Sequence, residues 1–168
     1  MGEGVKIKAT KGFSVLEIMI VVAILAVAVT MATPYFNKYR HNTNLREAAR
    51  DLVSDINQMK QRAVAESIHY RIVFDAAGNT YKFQIEQPRD SGLFFDLLPL
   101  QSNTKSPASI GANITISNPS FAFGFPFITF EPRGTTGAGS VILTNKVLST
   151  AKITTTTMGK VYVTFTML

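Results

Sequence analysis

Three hydropathy regimes follow one another along the chain. Residues 1–12 (MGEGVKIKATKG) are short, polar and basic, with Lys6, Lys8 and Lys11 set against Glu3. Residues 18–37 then hold no charge, and 18–29 is nearly pure Ile, Met, Val, Ala and Leu. About 20 helical residues span the roughly 30 Å hydrocarbon core of a bilayer, so this run has the length of a membrane helix. Residues 37–44 are polar, but the helical pattern then resumes. Leu45, Ala48, Ala49, Leu52, Val53, Ile56, Met59, Ala63 and Val64 recur at steps of three and four. Arg46, Glu47, Arg50, Asp51, Asp55, Lys60 and Arg62 take the other side, which predicts an amphipathic helix with a solvated charged face. One helix from Phe13 to Glu66 would hold 54 residues and reach about 80 Å at ~1.5 Å per residue. Pro34 should kink it, because proline lacks an N–H and clashes with the preceding turn.

After Ser67 the period drops to two. Residues 69–75 (HYRIVFD) and 80–86 (TYKFQIE) flank Ala76-Ala77-Gly78-Asn79, which predicts a β-hairpin with a short Gly/Asn loop. Residues 93–100 form an apolar run, either strand or packed loop, and 101–108 (QSNTKSPA) read as exposed loop. Further strands are predicted at 113–117, 121–131, 140–145, 151–157 and 160–167, with a glycine-rich turn at 133–140 (RGTTGAGS). One long helix followed by about seven short antiparallel strands is an α+β fold. The helix, a membrane half plus an amphipathic half, should pack on one face of a small antiparallel β-sandwich.

Composition narrows the chemistry. The 168 residues are 46% hydrophobic and 17% charged, too apolar for a disordered chain. The chain is long enough to build a core without disulfides or a structural metal. It has no Cys, which excludes disulfides, Cys zinc sites, iron–sulfur clusters and thiol nucleophiles. The net charge of +6 falls to +4 without residues 1–12, with 14 basic residues against 10 acidic. Residues 13–96 carry nine of each sign. The excess therefore lies in 97–168, where Lys105, Arg133, Lys146, Lys152 and Lys160 face Glu131 alone.

No catalytic constellation emerges, and neither a metal nor a cofactor is predicted. Gly134, Gly137 and Gly139 lack the Lys-Ser/Thr ending of a phosphate loop and precede a strand instead of a helix. His41 and His69 stand without ligand spacing around them, and Asp90 and Asp96 lie in an irregular stretch. Phe121, Phe123, Phe125 and Phe127 alternate, so on one strand all four would share a face. That predicts a core-facing strand, with Pro126 forcing an edge or bulge. Its competitor is an aromatic platform that stacks the bases of single-stranded DNA.

The N-terminus allows three readings. One is a secretory signal with Ala26-Val27-Ala28 as its cleavage site. Another is a plain signal anchor. The third is a helix that sits first in a membrane and later packs against its copies. Lysines before the apolar run favour a cytoplasmic N-terminus, although Lys38 and Arg40 follow closely. Glu17 at the head of the run bears on the choice, because a carboxylate within a membrane helix costs about 2.5–3.5 kcal/mol at its centre.

Gly12-Phe13-Ser14-Val15-Leu16-Glu17, after a short basic leader ending in Lys11, resembles the processing site of the type IV prepilins and pseudopilins. The resemblance implies that prepilin peptidase cuts between Gly12 and Phe13 and methylates the new N-terminus on Phe13. It implies that Glu17 pairs with the N-terminal amine of a neighbouring subunit during filament assembly, and that Pro34 is the helix-kinking proline of many pilins. The chain then divides into a leader (1–12), a transmembrane and filament-core helix (13–36), its amphipathic continuation (37–67) and a β-rich domain (68–168).

Phe130-Glu131-Pro132-Arg133-Gly134, with Gly137 and Val141-Ile142-Leu143, resembles the C-terminal block of the FimT and GspH pseudopilins. The implied protein is a non-enzymatic minor pseudopilin or pilin, a single-pass inner-membrane protein with a periplasmic β-domain. It would move into a type II secretion pseudopilus or a type IV pilus beside other subunits, at initiation or at the tip. Two alternatives are a DNA-binding minor pilin for uptake and a major filament subunit. FimT-like receptors carry a Gly-Arg-x-Arg pattern near the C-terminus, where this chain has Gly159-Lys160-Val161-Tyr162. Lys cannot reproduce the planar fork of Arg. DNA is therefore the less favoured partner, with Lys146, Lys152 and Lys160 as its candidate contacts.

Overall fold

The computed structural model describes residues 12–97, 104–111 and 113–168. Among the described residues, one helix, α1 (Val15–Glu66), is followed by nine strands. These are β1 (Tyr70–Asp75), β2 (Thr80–Glu86), β3 (Phe94–Asp96), β4 (Thr104–Lys105), β5 (Thr115–Ser120), β6 (Phe127–Phe130), β7 (Gly139–Thr144), β8 (Thr150–Thr155) and β9 (Val161–Thr166). The chain forms two compact units, Met1–Asn37 and Lys38–Leu168. In the first, α1 exposes its apolar side chains on every side, among them Leu16, Ile20, Ile24, Val27 and Met31.

In the second unit the predicted stripe becomes the core. Leu45, Ala48, Ala49, Leu52, Ile56, Met59 and Ala63 are buried, while Val64 at its margin stays exposed. The three alanines let backbone and side chains of the sheets approach closely, and the larger residues fill the gaps between them. One sheet runs β3-β2-β1-β6, with β4 also on β2; the other runs β5-β7-β8-β9. These strands pair antiparallel throughout. Tyr70, Ile72, Ile128 and Phe130 from the first sheet and Val141, Leu143, Ala151 and Ile153 from the second are fully buried in the same core.

The hairpin of β1 and β2 forms as its alternation predicts. Asp75 accepts the N–H groups of Ala77 and Gly78, both at 3.0 Å. Asn79, at φ 51°, links the two sheets. Its Oδ1 accepts the Ile116 N–H and its Nδ2 donates to the Ile114 carbonyl, both at 2.8 Å. Asn145 does similar work in the β7–β8 turn, donating to the His41 carbonyl and to Asn42 Oδ1 at 3.0 Å each.

Two sequence expectations are corrected. Residues 121–131 do not form one strand. A short 3-10 turn (Ala122–Gly124) interrupts them, with Phe123 at φ 61° and Gly124 at φ 81°, and only Phe127–Phe130 is strand. Positive φ at two successive residues breaks the pleat, so the four phenylalanines do not share a face. Nor are residues 104–108 simply an exposed loop. They form β4 and enter a 3-10 turn with Pro107 buried, while residues 98–103 lie outside the described residues.

Truncating the centre of the stripe should be costly. Leu52→Ala is expected to lower stability by about 2–5 kcal/mol, read from the denaturant midpoint. A loss under 1 kcal/mol would mean that α1 is not the core element it is taken to be.

Candidate functional site

The sequence-predicted residues fall into two groups. Gly12 and Phe13 precede α1, and a side chain added at Gly12 would meet nothing. Glu17 stands in the first turn of α1, where the macrodipole favours a negative charge. Phe13, Glu17, Ile18, Val21 and Val22 border a shallow groove on the helix surface. A carboxylate at the rim of an apolar groove can receive an ammonium group, and the groove can receive apolar side chains. Pro34 lies within α1. Just before it, Thr30 and Thr33 return their hydroxyls to helix carbonyls, at 2.8 Å to Val27 and 2.9 Å to Val29. These bonds leave no unsatisfied hydroxyl on the apolar surface. By length and composition α1 can cross a membrane.

The second group lies on the β5-β7-β8-β9 sheet. Lys146 is exposed in the β7–β8 turn, Lys152 on β8 and Lys160 in the turn before β9. No ion pair is recorded for any of them among the described residues. They do not converge on a pocket. Lys146 and Lys160 flank opposite ends of a six-residue strand, about 20 Å at ~3.3 Å per residue. Gly159 beside them has a structural task. At φ 72°, a Cβ there would come within 2.5 Å of the Gly134 carbonyl, and its own carbonyl accepts from Lys60 Nζ at 3.0 Å.

The aromatic platform is not assembled from the four alternating phenylalanines. Phe121 is buried, whereas Phe123 is 98% exposed. A different set meets on the outer face of the other sheet. Phe125 and Phe127 stack with centroids 5.1 Å apart. The Arg71 guanidinium lies 5.2 Å from the Phe127 centroid and 4.2 Å from that of Phe94. Arg71 also donates to Gln84 at 2.5 Å, and Gln84 donates to Asp96 at 2.6 Å. Burial lowers the Arg71 pKa, opposed by Asp96. The hydrogen bond from Gln84 is the main influence holding the Asp96 carboxyl below its ordinary value.

Two polar clusters escaped the sequence reading because their members are far apart in the chain. Asp55, expected on the solvated face, is 5% exposed. It accepts from Lys105 at 2.7 Å and from the Tyr81 hydroxyl at 2.8 Å, and Asp51 lies 3.8 Å from Lys105. Burial, joined by the charge of Asp55, pushes the Tyr81 pKa far up. His69, Glu86 and Asp90 bring ligand-capable atoms within 4.8 Å of one another. Yet both Glu86 oxygens are already engaged, one with His69 Nδ1 at 2.7 Å and one with the Gly92 N–H at 2.6 Å. The group acts as a clasp on the loop between β2 and β3.

Comparisons with known proteins agree with this geometry. Residues 7–33 match the family described as the prokaryotic N-terminal methylation motif. The competence protein ComGD of Bacillus subtilis (strain 168) is 27% identical over 122 residues, covering 67% of this chain and 83% of that protein. The fold is similar to that of the minor pseudopilin EpsH from the type 2 secretion system of Vibrio cholerae. That likeness has a TM-score of 0.57 at 10% identity and covers 73% of this chain and 97% of that one. It is also similar to the type IV minor pilin FimU of Pseudomonas aeruginosa (strain PAO1). There the TM-score is 0.55 at 13% identity, over 75% of this chain and 92% of that one.

The clasp carries a pH signature. Burial alone would raise the Glu86 pKa, but hydrogen bonds from Gly92, His69 and the Asp90 backbone outweigh it and hold the carboxyl below its ordinary value of 4.5. A lowered folded-state pKa contributes stability that is present above the unfolded value and lost as pH falls through the folded one. Melting temperature should therefore fall on acidification below about pH 4.5. Glu86→Gln should be less stable at neutral pH and show a shallower acid slope. An unchanged slope would deny the clasp its role.

Proposed function

We infer that this chain, of the type IV prepilin and pseudopilin family by its motif and fold, is a non-enzymatic minor subunit of a pilus or pseudopilus. Prepilin peptidase cuts it after Gly12 and methylates Phe13. The apolar first half of α1 holds it in the membrane, N-terminus on the cytoplasmic side and β-domain on the other. It then enters the filament, at initiation or at the tip. The observation that carries this reading is the order of parts: a Gly12-Phe13 junction, Glu17 in the first helical turn, and an apolar helix that continues into a β-domain similar in fold to that of the minor pseudopilin EpsH.

Assembly needs no catalytic group. Apolar helix surfaces leave lipid and pack on one another, and Glu17 receives the N-terminal ammonium of a neighbour. A buried charge with an ammonium partner is compensated, and removing one member of such a pair typically costs about 3–5 kcal/mol. Glu17 thus selects register. The intact mass of the protein recovered from its host should lack residues 1–12 and carry a methyl group. Glu17→Ala should be processed equally but be depleted from isolated filaments. Cleavage after Ala28 would remove this reading.

A second reading, a DNA-binding subunit of an uptake system, is favoured by the competence relative and by the charge excess in residues 97–168. Phosphate contacts made by lysines weaken steeply with salt. If DNA binds, replacing Lys146, Lys152 and Lys160 by Gln should abolish a salt-sensitive mobility shift. A shift that is absent in the wild type, or unchanged in the variant, eliminates this reading.

A further inference from the structure

The sheet edges are not equally protected. On the first sheet, β3 and β4 are three and two residues long, and β3 ends in a charge at Asp96. β6 has four residues between Pro126 and Pro132, and Phe130 is bridged by Thr136. On the second sheet, β5 contains Pro119, carries Asn118 at φ 46°, and slips register between Ser117 and Ser120. Short length, charge, proline and bulges are the devices that keep an edge from pairing with another chain.

β9 has none of them. Its six residues, Val-Tyr-Val-Thr-Phe-Thr, include no charge, proline or glycine, and its register on β8 is unbroken from Thr155↔Val161 to Thr150↔Thr166. The adjoining turn sets the phase of that ladder, since the Thr156 N–H donates to the Lys160 carbonyl. Antiparallel pairs alternate between bonded and non-bonded. The bonds to β8 therefore fall at Tyr162, Thr164 and Thr166. The N–H and C=O groups of Val161, Val163 and Phe165 point away from β8, and no other described strand pairs there.

The core is also unfinished under this edge. Ala151 and Ile153 on β8 are fully buried. Their partners across the ladder are not: Val163 is half-buried and Phe165 is 38% exposed. On the opposite face Lys152 sits across from Thr164, and Lys160 opens the strand; neither has an acidic partner among the described residues.

We propose that β9 is a docking edge that accepts a tenth strand from another protein, an extended segment with apolar residues on its core side and acidic residues on its outer side. The apolar side chains complete the cover over Val161, Val163 and Phe165. The carboxylates meet Lys152 and Lys160. A second copy of this chain fits less well, because β9 would bring the same lysines and no acid. The proposal stands apart from the filament reading, since it rests on the β-domain alone.

Amide hydrogen exchange on the full chain in detergent micelles tests it, with a synthetic peptide of alternating Val and Glu as the probe. In the free chain the amides of Tyr162, Thr164 and Thr166 should be protected, and those of Val161, Val163 and Phe165 should exchange freely. The peptide should protect the second set. Val163→Pro, which removes an N–H that β8 does not use, should abolish that protection. Lys152→Glu with Lys160→Glu, both exposed, should weaken the peptide by at least about tenfold and restore binding to the same peptide with Lys in place of Glu. Protection of Val161, Val163 and Phe165 that grows with protein concentration alone would assign the edge to a second copy and overturn the acidic partner. So would binding insensitive to the charge reversal. No added protection with either peptide would overturn the docking edge itself.

Discussion

The β-domain depends on one narrow stripe of α1. Leu45, Ala48, Ala49, Leu52, Ile56, Met59 and Ala63 belong to the same buried core as residues of both sheets, and a helix offers such a stripe at steps of three and four. Polar side chains then fix the helix along its length. Asn145 reaches the carbonyl of His41, Lys105 and Tyr81 reach Asp55, and Lys60 reaches the carbonyl of Gly159. At the helix end the Tyr70 hydroxyl donates to Glu66 at 2.5 Å, and burial with that bond pushes the Tyr70 pKa up to about 12. Each tie satisfies a group that packing has withdrawn from water, which is the condition for burying it at all.

The two halves of α1 present different surfaces. Its first half is apolar all round and exposes those side chains; its second half is apolar on one side only. The change occurs within the polar stretch at 37–44. Hydrophobic surface in the first half stays exposed in this chain, whereas in the second it is covered by the sheets. Glu17 is tolerable at the head of the apolar half for the reason that makes it informative there. It lies in the first turn, where helix N–H groups are still unpaired and the dipole welcomes a carboxylate.

Periodicity made the second half of α1, the β1–β2 hairpin, β7 and β8 legible in the sequence, because their buried faces repeat; β9 was legible from its alternation although none of its residues is fully buried. The Phe121–Phe127 run defeated the same logic. Its alternation imitates a strand, while Phe123 and Gly124 take left-handed backbone angles that a residue count does not reveal. Gly124 two residues before Pro126 was the available signal. The prepilin-like junction was readable because junction, charge and apolar run are contiguous. Asp55 with Lys105 and Arg71 with Phe94 and Phe127 were not, since each meets only after the sheets form.

Folding also sorts the charge that composition could only sum. Residues 13–96 are balanced, and several of their acids are used internally: Asp51 and Asp55 by Lys105, Asp96 by Lys82, Glu66 by Arg62, Glu86 by His69. Lys105 thereby leaves the C-terminal excess and becomes a tie to α1. Among the described residues, Lys146, Lys152 and Lys160 remain without an ion pair on the second sheet, a Thr-rich surface whose last strand leaves hydrogen-bonding groups open along its edge. Unpaired lysines beside an edge commonly discourage indiscriminate pairing. Here the charges lie outside β9 itself, so they leave its edge open and favour an incoming strand that is acidic.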